Sequence, residues 1–159
     1  MARRMRVGIS SCLLGQKVRY DGGHKLDTVI VSGLGPYVEW QPICPEVESG
    51  LPVPREPMQL SGDPESPRLI TVHTAQDFTE RLTLWAEKRL REPDMQGLCG
   101  FVFKSGSPSC GLLGIEAGAG IFARSFMKMF PCVPTEEDAR LRQTGIMEEF
   151  LRRISQVSR

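Results

Sequence analysis

Cys99-Gly-Phe-Val-Phe103 is apolar without a break. A strand with one wet face alternates polar and apolar side chains. An unbroken run must be covered on both faces, as in a parallel sheet packed between helices. The rest of the chain suits that architecture. Arg6–Ser10 predicts a first strand, and Tyr37–Ile43 predicts a second, with Pro42 marking an edge or a strand end. Leu69–Val72 predicts a further short strand, and Cys132–Val133 a last one. Helices are predicted from Leu26 to Leu34, from the capping pattern Thr74-x-x-Asp77 to Glu92-Pro93, and from Gly118 to Met129. A C-terminal helix is expected to be capped by Thr135-x-x-Asp138. Phe78, Leu82, Trp85 and Leu90 recur at helical spacing, as do Leu141, Met147, Phe150, Leu151 and Ile154, so both stripes are expected to be core. Alternating strands and helices predict an α/β fold with a mostly parallel sheet and helices on both faces.

Residues 45–67 hold six of the twelve prolines, which predicts a long loop with room for only short regular pieces. No internal repeat and no linker divides the 159 residues, so a single domain over 1–159 is expected. Twenty Lys and Arg against nineteen Asp and Glu leave a formal charge of +1. That balance gives no basis for nucleic acid or an anionic membrane as partner. No apolar run approaches the roughly 20 residues of a bilayer span, and the stretch after MARRMR is too short for a signal-peptide core. The expected location is cytoplasmic.

Five cysteines, Cys12, Cys44, Cys99, Cys110 and Cys132, are an odd set with no C-x-x-C pair. A disulfide framework, a zinc finger and a thioredoxin-type pair are therefore disfavoured, and burial as small apolar residues is the plain alternative. Three of the five differ from the others in placement. Cys12, Cys44 and Cys110 each follow closely on a predicted strand, and strand ends of an open parallel sheet converge on one rim. Their surroundings are Ser10-Ser-Cys12-Leu-Leu-Gly15, Pro42-Ile-Cys44-Pro-Glu46 and Ser107-Pro-Ser-Cys110-Gly111. These loops are rich in Gly, Pro and Ser, which supply tight turns and N–H and O–H donors to sulfur. Three thiolates suit a metal centre with one open position. Zinc is one such metal, and a [4Fe–4S] cluster on three Cys, with one iron left free, is another. Cys99, at the start of its strand, is expected at the opposite rim in a structural role. The apolar neighbours of Cys132 favour packing.

SSCLLGQKVRYDGGHK, PICPEVESGLPVPREP and FVFKSGSPSCG, in this order, resemble the thiouracil desulfidase-like family in its short stand-alone form. The resemblance runs over roughly residues 5–150. It implies a Rossmann-like α/β fold and a [4Fe–4S] cluster on three Cys, matching Cys12, Cys44 and Cys110, with one open iron. The implied reaction removes the sulfur of a thiolated pyrimidine by non-redox hydrolysis, giving the uracil product and hydrosulfide. The implied partner is thus a small-molecule thiopyrimidine, as base, nucleoside or nucleotide.

Glu46, two residues after a ligand, is placed to activate water as general base. The resemblance also implies a catalytic Ser in the third ligand loop, taken as Ser107. Ser105 is expected to bind substrate, together with Ser11, Asp21 of the DGGH turn, and Arg55, whose cation suits a pyrimidine's polar edge or a ribose phosphate. The plain alternatives are a solvated loop carboxylate for Glu46, against which the resemblance favours the catalytic role, turn chemistry for the serines, a tight turn for Asp21 and a surface charge for Arg55. His24 reads as a surface or satisfied residue. A metal or redox sensor using the same three cysteines is the rival reading, and a sensor has no use for Glu46. A nucleotide-binding module is disfavoured, since the first loop lacks G-x-G-x-x-G.

Overall fold

The computed structural model describes residues 4–111 and 119–158. The chain opens with β1 (Met5–Ser10) and one 3₁₀ turn (Ser11–Leu14). Next come α1 (Thr28–Leu34), β2 (Val38–Ile43), α2 (Pro45–Glu48), β3 (Met58–Ser61) and β4 (Arg68–Thr71). They are followed by α3 (Thr79–Leu90), α4 (Pro93–Gln96), β5 (Gly100–Phe103) and α5 (Ile121–Met129). The chain closes with β6 (Thr135–Glu137), α6 (Asp138–Leu141) and α7 (Ile146–Val157). Four strands form one sheet in the order β2-β1-β5-β6, and every neighbouring pair is parallel. The fold is Rossmann-like α/β. Among the described residues no helix is long and apolar enough to cross a membrane.

The strand period of two divides β5 between two cores. Val102 faces Val7, Ile9, Leu34, Phe150 and Ile154, under α1 and α7. Phe101 and Phe103 face Phe122 and Phe126 of α5 and Leu90 of α3 on the other side. All three β5 side chains are fully buried, as the unbroken apolar run requires. The rings of Phe101 and Phe103 stack at 4.5 Å, and that of Phe126 lies 5.0 Å from Phe101. Gly8, in the middle of β1, lies beneath this pair, and a Cβ there would collide with the Phe101 ring. Gly8→Ala is expected to lower stability by about 1–3 kcal/mol through overpacking, read as an earlier urea midpoint. An unchanged midpoint would contradict the packing.

Several expected elements lie elsewhere. Helix α3 opens at Thr79, not Thr74. The side chain of Thr74 is engaged in a turn with Thr71 and Glu56. Asp77 bridges to Ile70 and pairs with Arg68, so the chain there is still extended. The last strand is Thr135–Glu137 rather than Cys132–Val133, because pairing with β5 begins where the Phe101 N–H meets the Pro134 carbonyl at 3.0 Å. Cys132 is exposed and does not pack. Thr135 is accordingly a strand residue and no cap, and α7 starts after Gly145. The Pro-rich stretch contains α2 and β3, the latter paired antiparallel with β4. Gly118, expected to open α5, lies outside the described residues, and α5 runs from Ile121.

Candidate metal centre

Each of the three cysteine loops is set by what ends its strand. After β1, the chain turns at once into the 3₁₀ segment, and the carbonyl of Cys12 accepts from Gly15 N and Lys25 N. After β2, Pro45 starts α2, and Cys44 N donates to Glu48 Oε2 at 2.9 Å. Glu48 is held in turn by Arg89 of α3. After β5, residues 104–111 fold back on themselves, with Gly111 N on the Ser107 carbonyl at 2.9 Å. A Cβ on Gly111 would collide with the Lys104 carbonyl, which is why glycine follows Cys110. Asp138, buried at the head of α6, fixes this loop from outside by accepting from Ser105 N at 2.6 Å.

Cys12, Cys44 and Cys110 line one cavity of about 380 Å³ at the carboxyl rim of the sheet. Its position is the crevice beside β1, from which the chain runs first to β2 and later to β5 on the other side. This is where open α/β sheets bind ligands. Cys12 and Cys110 are buried and Cys44 is half-buried. Burial pushes the thiols of Cys12 and Cys44 up to about 11 and that of Cys110 up to about 12. Each also feels another: Cys44 acts on Cys12, Cys110 on Cys44, and Cys12 on Cys110. Three bare thiolates are costly in such a space, whereas ligation to a cationic metal group removes that cost. Among the described residues no three His, Cys, Asp or Glu side chains gather tightly enough for a single ion. An iron–sulfur cluster asks for something wider, since each thiolate binds a different iron. Three cysteines on one cavity wall, with no other thiol there among the described residues, are a donor set that fits a cluster.

Cys99 lies elsewhere, in the wall of a second cavity with Arg4, Arg6 and Val157. Glu46 stands in the first cavity with both carboxylate oxygens engaged. Its Oε1 accepts from Arg55 Nε at 2.9 Å, and its Oε2 accepts from Ser109 Oγ at 2.6 Å. Ser11, Ser105 and Ser107 line the same cavity, and Ser107 Oγ accepts from Cys110 N at 3.2 Å. Asp21 does not line it. Its Oδ1 accepts from Gly23 N and closes the DGGH turn, and His24 Nδ1 likewise serves Leu26 N. Arg55 lines the cavity but is laced into its wall, with Nη1 on the Pro52 carbonyl, Nη2 on the Val18 carbonyl and Nε on Glu46. It fixes Glu46 and joins the Pro-rich segment to the first ligand loop.

Ser109, a hydroxyl of the third ligand loop beside Ser105 and Ser107, also faces the cavity, as do Ser10, Lys104, Lys25, Arg19 and Tyr20, to which the sequence assigns no role. Ser10 and Ser109 stand two and one residues before a ligand, and adjacency was their only signal. The direction of Ser109 depends on a turn that carries no periodicity, whereas Ser10 closes β1.

Comparison with known proteins bears on this arrangement. A structure described as the [4Fe-4S]-dependent thiouracil desulfidase TudS superposes with a TM-score of 0.71 at 29% identity, covering 92% of this chain and 99% of that one. The uncharacterized protein YbbK of Bacillus subtilis (strain 168) is 32% identical over 108 residues, 65% of this chain and 71% of YbbK. A family model described as 2-thiouracil desulfurase matches residues 7–138. That span runs from β1 to the head of α6 and takes in all three clustered cysteines and Glu46, and the chain belongs to the 2-thiouracil desulfurase family.

Proposed function

We propose that the protein is a [4Fe–4S]-dependent desulfidase that hydrolyses the thiocarbonyl of a thiopyrimidine. The observation that carries this reading is the meeting of Cys12, Cys44, Cys110 and Glu46 in one wall-to-wall cavity. Cys12, Cys44 and Cys110 would hold the cluster, and a three-ligand set leaves one iron without a protein ligand. When bound, the cluster supplies a soft Lewis acid for the substrate's sulfur.

The chain's own residues do the rest. Glu46 takes a proton from the water that adds to the thiocarbonyl carbon. Arg55 and Ser109 hold its carboxylate in one orientation for that task. Ser107, whose oxygen takes the Cys110 amide, presents its hydroxyl to the substrate or the water. Ser11 and Ser105 add hydroxyls to the wall. In balance, thiocarbonyl and water give carbonyl and hydrogen sulfide, with no change of oxidation state. Free base, nucleoside and nucleotide are all substrates to be compared, and the location proposed is the cytoplasm.

The test is anaerobic reconstitution followed by 2-thiouracil, 4-thiouracil and their nucleosides and nucleotides, without added reductant. The expected result is a uracil product and hydrosulfide in equal amounts from at least one of them. Cluster-loaded protein that leaves every thiopyrimidine intact would overturn the assignment and favour a sensor.

A further inference from the structure

Ser10 Oγ lies 2.8 Å from the sulfur of Cys110, one hundred residues away in sequence. Ser10 is buried at the last position of β1, where β1 and β5 part at the cavity. Its oxygen also accepts from Lys104 N at 2.9 Å, the first amide beyond β5. A serine hydroxyl has one hydrogen and two lone pairs. The Lys104 amide occupies a lone pair and fixes the oxygen in place. A cysteine that binds metal is a thiolate with no hydrogen of its own. In that state Ser10 is the donor and the Cys110 sulfur the acceptor. The Ser107 hydroxyl and the Lys104 amide also act on the Cys110 sulfur, behind Ser10 in strength, and the other two sulfurs have different company. The strongest influences of neighbouring groups on Cys12 are charges, and Cys44 has the Val47 amide.

We propose that Ser10 is a positioning residue of the metal centre, donating its hydroxyl hydrogen to the Cys110 thiolate and thereby raising the reduction potential of the bound cluster. The proposal rests on the cluster reading above. Hydrogen bonds to ligand sulfurs are one of the levers by which a protein sets such a potential. A donor stabilises the more negative, reduced state. It also draws electron density off the sulfur, which leaves the irons more electron-poor and the open one a better acceptor. The effect depends on the β1–β5 register, in which Ile9 pairs with Val102 and so brings Ser10 level with the start of the third ligand loop.

The test compares anaerobically reconstituted wild type, Ser10→Ala and Ser10→Thr at equal iron and sulfide content. Midpoint potentials come from redox titration followed by electron paramagnetic resonance. Ser10→Ala is expected to have a lower midpoint, and Ser10→Thr, which keeps the hydroxyl, to stay near wild type. A brief exposure to D₂O labels hydroxyls ahead of buried amides. Reduced wild-type protein should then show deuterons coupled to the cluster by electron spin echo modulation, and Ser10→Ala should lose the coupling that Ser107→Ala, which removes the other hydroxyl at the Cys110 sulfur, retains. An unchanged midpoint in Ser10→Ala overturns the proposal. If that variant takes up no cluster, the wild type still decides, since absence of coupled deuterons overturns the proposal without any variant. Wild type that binds no cluster at all would instead sink the metal reading, and this inference with it.

Discussion

Alanine at Cys12, Cys44 or Cys110 is expected to abolish cluster retention and, with it, desulfidation. Each of the three comes from a different strand end, so none has a spare ligand beside it in its own loop. Removing one thiolate leaves two ligands in a cavity whose other walls offer hydroxyls, cations and one carboxylate, Glu46, already held by Arg55 and Ser109. The measurement is iron and sulfide per chain after anaerobic reconstitution, with the brown colour as a quick check. Cys99→Ala and Cys132→Ala serve as controls and should load fully. The first removes a small buried side chain, typically a loss of about 1 kcal/mol. The second removes an exposed one. Full iron content in Cys44→Ala would refute the ligand set.

Glu46→Gln is expected to cost roughly 10²–10⁴ in turnover while leaving the cluster in place. The geometry makes this a clean substitution. A glutamine oxygen still accepts from Arg55, and its amide can donate to Ser109 Oγ, so both contacts survive in a side chain of nearly the same shape. Only the capacity to accept the water's proton is gone. Single-turnover rates on cluster-replete protein separate this from a loading defect, and KM should change far less than kcat. Turnover near the wild-type rate would remove Glu46 from the mechanism and pass the role to Ser107.

What could be read from the amino acids alone follows from periodicity and adjacency. The unbroken run before Phe103 implied a strand buried on both faces, and β5 is fully buried. The stripe of Phe150 and Ile154 placed α7 against the core. Cysteines that follow strands of a parallel sheet must share a rim, and three of them share a cavity. Side-chain direction in turns follows no such rule. Asp21 was expected in the pocket wall, but its carboxylate closes a local turn. Arg55 was expected to meet substrate, whereas carbonyls from two segments and Glu46 engage its guanidinium. Short strands were equally hard to place. In β6 only three residues pair, and a polar Thr-Glu-Glu carries no strand pattern. Its pairing is decided by the neighbouring edge of β5, a tertiary effect.

The order in which the chain is made limits when the centre can be built. β1 is central in the sheet, yet one of its neighbours, β5, is encoded some ninety residues after it. The third thiol follows the second by 66 positions, 110 less 44, which at about 5–20 residues per second is a delay of about 3–13 s on the ribosome. Throughout that interval the nascent chain carries two thiols at an unfinished rim, with one flank of its middle strand open. A cluster held by Cys12, Cys44 and Cys110 would therefore be loaded only once the third ligand loop has emerged, and not as the first two thiols appear.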